Sequence, residues 1–377
     1  SRSNTRFSPE KYDDEFDQMS VTLSGSINDN LDVILTSSIF ERDTAYTYDY
    51  ASYVEYYAYA AYPSYVCDYY DYYYYGNVSN CRDPRMTYAQ TNDIERTATE
   101  FRIQSNNDSG FNWILGAFKE TNEKVTDVDY LQPGGSYYSS GLSGTWWEAD
   151  LDRKGEIEAI FGEAYIDIGD KTQLTLGFRN YDQDMDLTAS NGYYGNMSFG
   201  ITNQKFKSSE SGTIPKVNIK HNISDDLMIY GTYSEGFRPS GVNRLKPTDP
   251  APKTYDADYL ESLELGFKST IADGKLVMNG AFYSMDWKDY QTTTYDLDLV
   301  AVAFVDNVGN AEITGIELNM VYAIDDTTSL TYYYNGVDST LSEDYYQNNV
   351  LYATSGNRLS YMPETSAYIS LDKDYTL

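Results

Sequence analysis

Residues 259–290 read as one long hairpin. Tyr259, Leu263, Leu265 and Phe267 fall on one side of an extended segment, while Ser262, Glu264, Gly266 and Lys268 fall on the other, the period-two pattern of a strand between an apolar and a wet environment. The turn Ala272-Asp273-Gly274-Lys275 contains an Asp-Gly pair that tolerates the positive φ angles of a hairpin. The strand after it is long and carries Tyr283, Trp287 and Tyr290 near its far end, which is where an aromatic girdle at a membrane interface is expected.

The same unit recurs along the chain. Expected strands cover 15–26, 31–42, 94–105, 111–122, 156–168, 172–183, 216–223, 227–237, 259–270, 276–294, 311–324, 329–337 and 366–373. Tight turns rich in Asp, Asn or Gly join them pairwise, at 27–30, 106–110, 169–171, 224–226, 272–275 and 325–328, because these residues accept turn backbone geometry. The connections between hairpins are longer, the longest running from Asp43 to Asp93. Leu174, Leu176 and Phe178 alternate with Thr175, Gly177 and Arg179, and Ile316, Leu318 and Met320 with Glu317 and Asn319. Strands of roughly 10 to 14 residues suit a tilted bilayer crossing, whereas soluble strands run to about 5 or 6. Strands that cross lipid must close, since every backbone group there needs a partner. The expected fold is all-β: an antiparallel up-and-down transmembrane β-barrel, with short turns on the periplasmic side and long extracellular loops.

Composition removes several alternatives. No apolar run is long enough for a transmembrane helix, which needs about 18 residues or more. A formal charge of -31 without a basic cluster argues against nucleic acid, whose phosphates need grouped Lys and Arg. A field so negative also favours a neutral or cationic ligand over a strongly anionic one. His221 is the single histidine and lies in an alternating strand without triad or zinc partners, so no enzyme activity, metal site or cofactor is expected. Asp225-Asp226 and Asp325-Asp326 read as solvated turn residues, and Gln132-Pro133-Gly134-Gly135 lacks the strand-to-helix setting of a phosphate cradle.

Several segments, in order, resemble the barrel signatures of TonB-dependent outer-membrane receptors. They are YGTYSEGFRPSGVNR from Tyr230, YLESLELGFKSTIADGKLVMNGAFYSMDWKDYQ from Tyr259, FVDNVGNAEITGIELNM from Phe304 and GNRLSYMPETSAYISLDKDY from Gly356. Two earlier stretches, ATEFRIQSNNDSGFNWILGAFKE from Ala98 and FGEAYIDIGDKTQLTLGFRNYDQ from Phe161, are similar to further strands of the family. The resemblance implies a barrel of about 22 strands with a globular plug in its lumen. On that reading residues 1–377 are part of the barrel, about thirteen strands of it, and the N-terminal plug and the last strands lie outside this sequence. It also implies energising by the TonB–ExbB–ExbD complex, an outer-membrane location, and uptake of a scarce nutrient, foremost a ferric siderophore or other iron complex. A carbohydrate importer, a passive porin or adhesin barrel, and a secreted acidic β-protein are the alternatives.

The candidate ligand residues are aromatic. The loop from Asp43 to Asp93 holds fifteen tyrosines between Tyr46 and Tyr75; Tyr56, Tyr57, Tyr59, Tyr69, Tyr70, Tyr72 and Tyr73 are the substrate candidates within it. Aromatic faces stack on sugar rings or aromatic ligands, and phenols hydrogen-bond or ligate ferric iron. Tyrosine is equally suited to protein contact. Trp146 and Trp147, in the Gly/Ser/Tyr-rich loop between 122 and 156, and Arg238, just after the strand 227–237, complete the set. Cys67 and Cys81 lie inside the same loop and are expected to form a disulfide in an oxidising compartment, with a metal site or two free thiols as alternatives. Arg179, Lys220, Glu264 and Lys268 are expected to face the lumen.

Overall fold

The computed structural model describes residue 6 and residues 8–50, 87–131, 145–193, 202–243, 251–296 and 302–375. In chain order the strands among them are β1 (Lys11–Asn28), β2 (Leu31–Asp49), β3 (Thr87–Ser105), β4 (Phe111–Leu131), β5 (Thr145–Ile168), β6 (Thr172–Tyr193), β7 (Thr202–Ser224), β8 (Leu227–Arg238), β9 (Gly241–Val242) and β10 (Thr254–Tyr255). They continue with β11 (Asp258–Ile271), β12 (Leu276–Lys288), β13 (Gln291–Asp296), β14 (Val302–Asn307), β15 (Ala311–Asp325), β16 (Thr328–Leu341), β17 (Tyr345–Gln347), β18 (Val350–Ala353) and β19 (Thr365–Lys373). One 13-stranded sheet runs β1-β2-β3-β4-β5-β6-β7-β8-β11-β12-β15-β16-β19, each of these strands antiparallel to the next of them along the chain. The remaining strands form three two-stranded ribbons within the long connections of the second half.

The six expected tight turns are all present and lie at one end of the sheet. At the β11–β12 turn Ala272, Asp273 and Gly274 take φ of 56°, 55° and 83°. Successive left-handed residues give the twist that lets a two-strand connection close without splaying.

Register fixes which residues share a face, because directly opposed side chains point the same way. One face carries Leu35, Phe101, Leu115, Ile160, Leu176, Phe178, Leu265, Phe282 and Ile316, each between 40% and 57% exposed. Such a continuous apolar surface would drive association in water and suits the acyl chains around a barrel. The belt is limited in height. On β4 it comprises Phe111, Trp113, Leu115 and Ala117, and the next outward position is Lys119, paired with Glu156 at 2.9 Å and Glu158 at 2.7 Å. Above it the same face is laced by ion pairs, Lys154 with Glu123 at 3.1 Å and Lys207 with Asp186 at 2.9 Å.

Two expectations are corrected here. The strands of the first half are much longer than the alternation of apolar residues suggested: β4, β5 and β6 have 21, 24 and 22 residues. The extension lies wholly on the long-loop side, so residues 43–49 and 87–93, read as loop from the sequence, are strand. Both faces meet water above the belt, which erases the alternation while the backbone ladder continues. The second correction concerns Tyr283 and Trp287, expected in a lipid-facing girdle. Tyr283 opposes Glu264 and Trp287 opposes Leu260, placing both on the polar face. There Tyr283 is 8% exposed in a cluster with Val308, Ala311, Ile313, Leu341, Tyr345 and Leu359, and Trp287 and Tyr290 pack against it.

Candidate functional site

At the long-loop end of β1 to β5 the polar face presents a row of rings. Tyr12 opposes Tyr46, Tyr48 opposes Tyr88, Tyr88 opposes Tyr130 and Tyr130 opposes Trp147. Tyr12 and Tyr46 are stacked with centroids 6.2 Å apart, and Tyr46 and Tyr88 likewise at 6.1 Å. Tyr88 meets Tyr130 edge-on at 5.1 Å, as Tyr130 meets Trp147. These are the offset and edge-to-face arrangements aromatic quadrupoles favour, each contributing about 0.5–1.5 kcal/mol beyond area burial. Burial pushes the Tyr46 phenol above its ordinary pKa. Beside the row Thr44 accepts from Asn92 Nδ2 at 2.8 Å and Thr126 donates to Asn92 at 3.0 Å, which fixes the wall beneath the rings.

Among the described residues Trp147 is therefore one terminus of this row. Trp146 is a residue of β5, and its side chain lies outside the described residues, as do Tyr56, Tyr57, Tyr59, Tyr69, Tyr70, Tyr72, Tyr73, Cys67 and Cys81. Tyr12, Tyr88 and Tyr130 were missed by sequence reasoning, which placed the strand ends too low. The two-residue spacing of Tyr46 and Tyr48 was the signal available.

Six residues from the row toward the belt, Lys124 on β4 stands directly opposite Arg153 on β5. The inward-facing positions around them are Asn92, Ile94 and Arg96 on β3, Asn122 and Thr126 on β4, Leu151 and Gly155 on β5, and Met185, Leu187 and Ala189 on β6. None is acidic. Two other cations of this wall are neutralised: Arg42 meets Asp14 at 2.6 Å and Arg96 pairs with Glu120.

Arg238, the remaining sequence candidate, sits at the top of β8 in a buried node. Asp258, 1% exposed, accepts from Arg238 Nε at 3.1 and 3.0 Å and from its terminal nitrogen, from Trp287 Nε1 at 2.9 Å, and from the backbone N–H of Gln291 at 3.0 Å and of Arg238 at 3.2 Å. The guanidinium also donates to the Gln291 carbonyl at 2.7 Å and lies 4.7 Å from the Trp287 ring centre. Gln291 Nε2 donates to Pro239 and Asp256 carbonyls at 3.0 and 2.7 Å. One carboxylate thus ties the connection after β8 to the connection after β12. Asn243 adds a second tie, donating to the Val305 carbonyl at 2.7 Å and accepting from the Val305 N–H at 2.8 Å. Tyr345 joins the third connection by donating to Asp306 at 2.6 Å, with its phenol pushed upward by burial and by that carboxylate.

A one-layer antiparallel sheet with an apolar outer belt, a polar inner face and folded connections at one end is the wall of a β-barrel of the outer-membrane type. The family described as TonB dependent receptor-like, beta-barrel, matches residues 1–377, and the chain belongs to that family. A pesticin receptor of Yersinia enterocolitica is 23% identical over 259 residues, covering 69% of this chain and 35% of the relative. A metal-pseudopaline receptor of Pseudomonas aeruginosa is 24% identical over 203 residues, covering 53% of this chain and 26% of its own length. Among solved structures, the ferric yersiniabactin uptake receptor of Yersinia pestis superposes with a TM-score of 0.68 at 16% identity, over 94% of this chain and 46% of that one. The ferric-catecholate import receptor of E. coli K12 gives 0.63 at 14% identity, over 97% and 52%. The chain spans about a third of the pesticin receptor's length and about a quarter of the metal-pseudopaline receptor's. These relatives are transport receptors, and the fold implies the outer membrane. No helix of the described residues is long and apolar enough to cross a membrane, which has no bearing on strands.

Proposed function

We propose that this barrel belongs to an outer-membrane receptor for active, TonB-energised uptake of a ferric siderophore or another iron complex. The observation carrying the reading is the ring-lined inner wall, which rises past the lipid belt on a barrel of a receptor family. Stacked phenols and an indole offer flat, polarisable faces and hydroxyl groups to an aromatic chelate. The names of the relatives, receptors for ferric yersiniabactin, metal-pseudopaline and ferric catecholates, point to the same class. In this reading Trp146, Trp147 and the tyrosines of residues 51–86 add to the capture surface, the Cys67–Cys81 bridge restrains that loop, and Arg238 shapes the mouth through Asp258. The TonB–ExbB–ExbD complex acts through a plug in the lumen.

The same rings would stack on sugar faces, so a carbohydrate importer is the second reading. Transport by the full-length receptor in outer-membrane-competent cells separates the two. Ferric siderophores and oligosaccharides are offered with and without the proton motive force. Uptake of the iron complex that stops when the force is removed is the expected result; oligosaccharide uptake alone favours the second reading, and energy-independent leakage refutes both.

A further inference from the structure

Two like charges held face to face on one sheet destabilise it slightly, by about 0.2–1 kcal/mol. Lys124 and Arg153 are held that way in a protein with 58 acidic and 27 basic residues. Carboxylates are nearby in the sequence, at Glu123, Asp127 and Asp152, but their odd or even offset puts them on the outer face; Glu123 there pairs with Lys154. Among the described residues neither Lys124 nor Arg153 has an anionic partner, and Arg153 Nε is buried without a hydrogen-bond acceptor. A buried charged donor without an acceptor costs more than a neutral one. Both side chains are partly exposed on the inner face.

From this arrangement we infer that Lys124 and Arg153 form a binding site for an anionic group, a carboxylate or phenolate, of the small-molecule ligand that the barrel admits. An oxyanion between the two would accept from the ammonium and from the guanidinium fork, including the orphaned Nε. Charge-assisted bonds of this kind are shorter and about twice as strong as neutral ones. Burial and then the Arg153 charge hold the Lys124 ammonium pKa below its ordinary value, and an anion would relieve the second of these causes. Six residues of strand separate the pair from the aromatic row on both β4 and β5, about 20 Å at 3.3 Å per residue. A ligand entering from the long-loop end meets rings first and positive charge second. The strongly negative whole therefore contains a local cationic station, against the expectation from net charge alone.

This inference rests on the uptake reading for the ligand's identity, and the test separates the two. Full-length receptor in detergent is titrated with salicylate, with a ferric tris-catecholate complex and with an uncharged ferric trihydroxamate, followed by quenching of intrinsic fluorescence. Lys124→Gln and Arg153→Gln are compared with Lys154→Gln on the outer face, and thermal unfolding is recorded for each. The expected result is binding of both anionic probes weakened about tenfold or more by either inner substitution, with uncharged-probe binding and the Lys154→Gln variant unchanged. Salicylate binding that depends on the pair, with no ferric complex bound, would uphold the anion site and refute the iron reading. Unaltered anion binding in both inner variants would overturn the anion site, whether or not iron complexes bind. A fall in thermal stability with unchanged affinities would also overturn it, assigning the pair to an internal carboxylate of the receptor.

Discussion

Replacing Asp258 by alanine removes the acceptor for four donor groups at once: the Arg238 guanidinium, the Trp287 indole N–H and the backbone N–H of Arg238 and Gln291. The guanidinium side chain is 45% exposed, so water recovers most of its loss and its share is discounted accordingly. The three N–H groups, of which that of Gln291 is buried and the other two part-buried, have less recourse to water, and each costs about 1–3 kcal/mol when orphaned. Three such groups span about 3–9 kcal/mol; the Arg238 and Trp287 N–H groups are only part-buried, which keeps the loss toward the low end, in line with the about 3–5 kcal/mol for removing one partner of a buried ion pair. Because the node joins connections rather than belt strands, the loss falls on local opening of the mouth. Opening there becomes about two to three and a half orders of magnitude more frequent. Hydrogen exchange of the full-length receptor reads this directly at the amides of Asn243, Tyr290 and Val308, which bond to Lys253, Gly309 and Tyr290 carbonyls at 2.8, 2.7 and 2.9 Å. Protection should fall at these three and hold at Leu263 and Leu265 in the belt. Unchanged exchange at all of them, or an equal rise in the belt, would refute the assignment of Asp258 as the tie between connections.

Leu265→Arg on the lipid face, 54% exposed to the membrane side, should lower unfolding free energy in vesicles by about 2–4 kcal/mol, the range for a cation near the bilayer midplane; Glu317→Gln on the inner face should change it by under about 0.5 kcal/mol. A Cβ on Gly266 would stand 2.5 Å from Tyr230 Cζ, so Gly266→Ala should reduce folding yield, and adding Tyr230→Ala should restore part of it. Asp325 at the β15–β16 turn accepts from the Thr327 N–H and hydroxyl, both at 2.9 Å, and these bonds, the backbone one first, lower its pKa to about 2. A depressed carboxyl stabilises the fold above its unfolded value of about 3.9 and loses that contribution as pH falls through its folded value; an NMR titration of the Asp325 carboxyl should show the low midpoint, and Thr327→Ala should raise it. Tyr130→Ala or Trp147→Ala should weaken binding of the ferric tris-catecholate complex about two- to tenfold, the worth of one aromatic pair, measured by quenching as above.

The belt and the turns were legible in the sequence because lipid and turn geometry each impose a strict residue choice. Leu174, Leu176 and Phe178 must all be apolar, and Asp273-Gly274 must tolerate positive φ. All thirteen strands of the sheet were found from such patterns, with their lipid-side ends close to the observed ones. The upper ends of β8, β11 and β15 were legible to within a residue, whereas those of β1 to β7 were not. Where β4 passes Lys119 and β5 rises above Glu158, water lies on both sides, so Glu123, Lys124 and Val125 carry no alternation to read. The aromatic row depends on this part, since Tyr12, Tyr46, Tyr88 and Trp147 are distant in the chain and meet only through register. The side of Trp287 was misjudged because its ring suits either an interface or a buried indole donating to a carboxylate, and parity against Leu260 decides between them.

The rise of β3 to β6 beyond the lipid divides labour within a single strand. Below Lys119 each residue answers to the acyl chains or to the lumen, and an error there prevents insertion. Above it the hydrogen-bond ladder alone maintains the wall, so the inward side chains are free to diversify on a scaffold already secured from below. A designer seeking a receptor for a different chelate would redraw Ile94, Lys124, Thr126, Leu151 and Arg153 and leave the lower half untouched, as one refaces the inside of a chimney without disturbing its foundation.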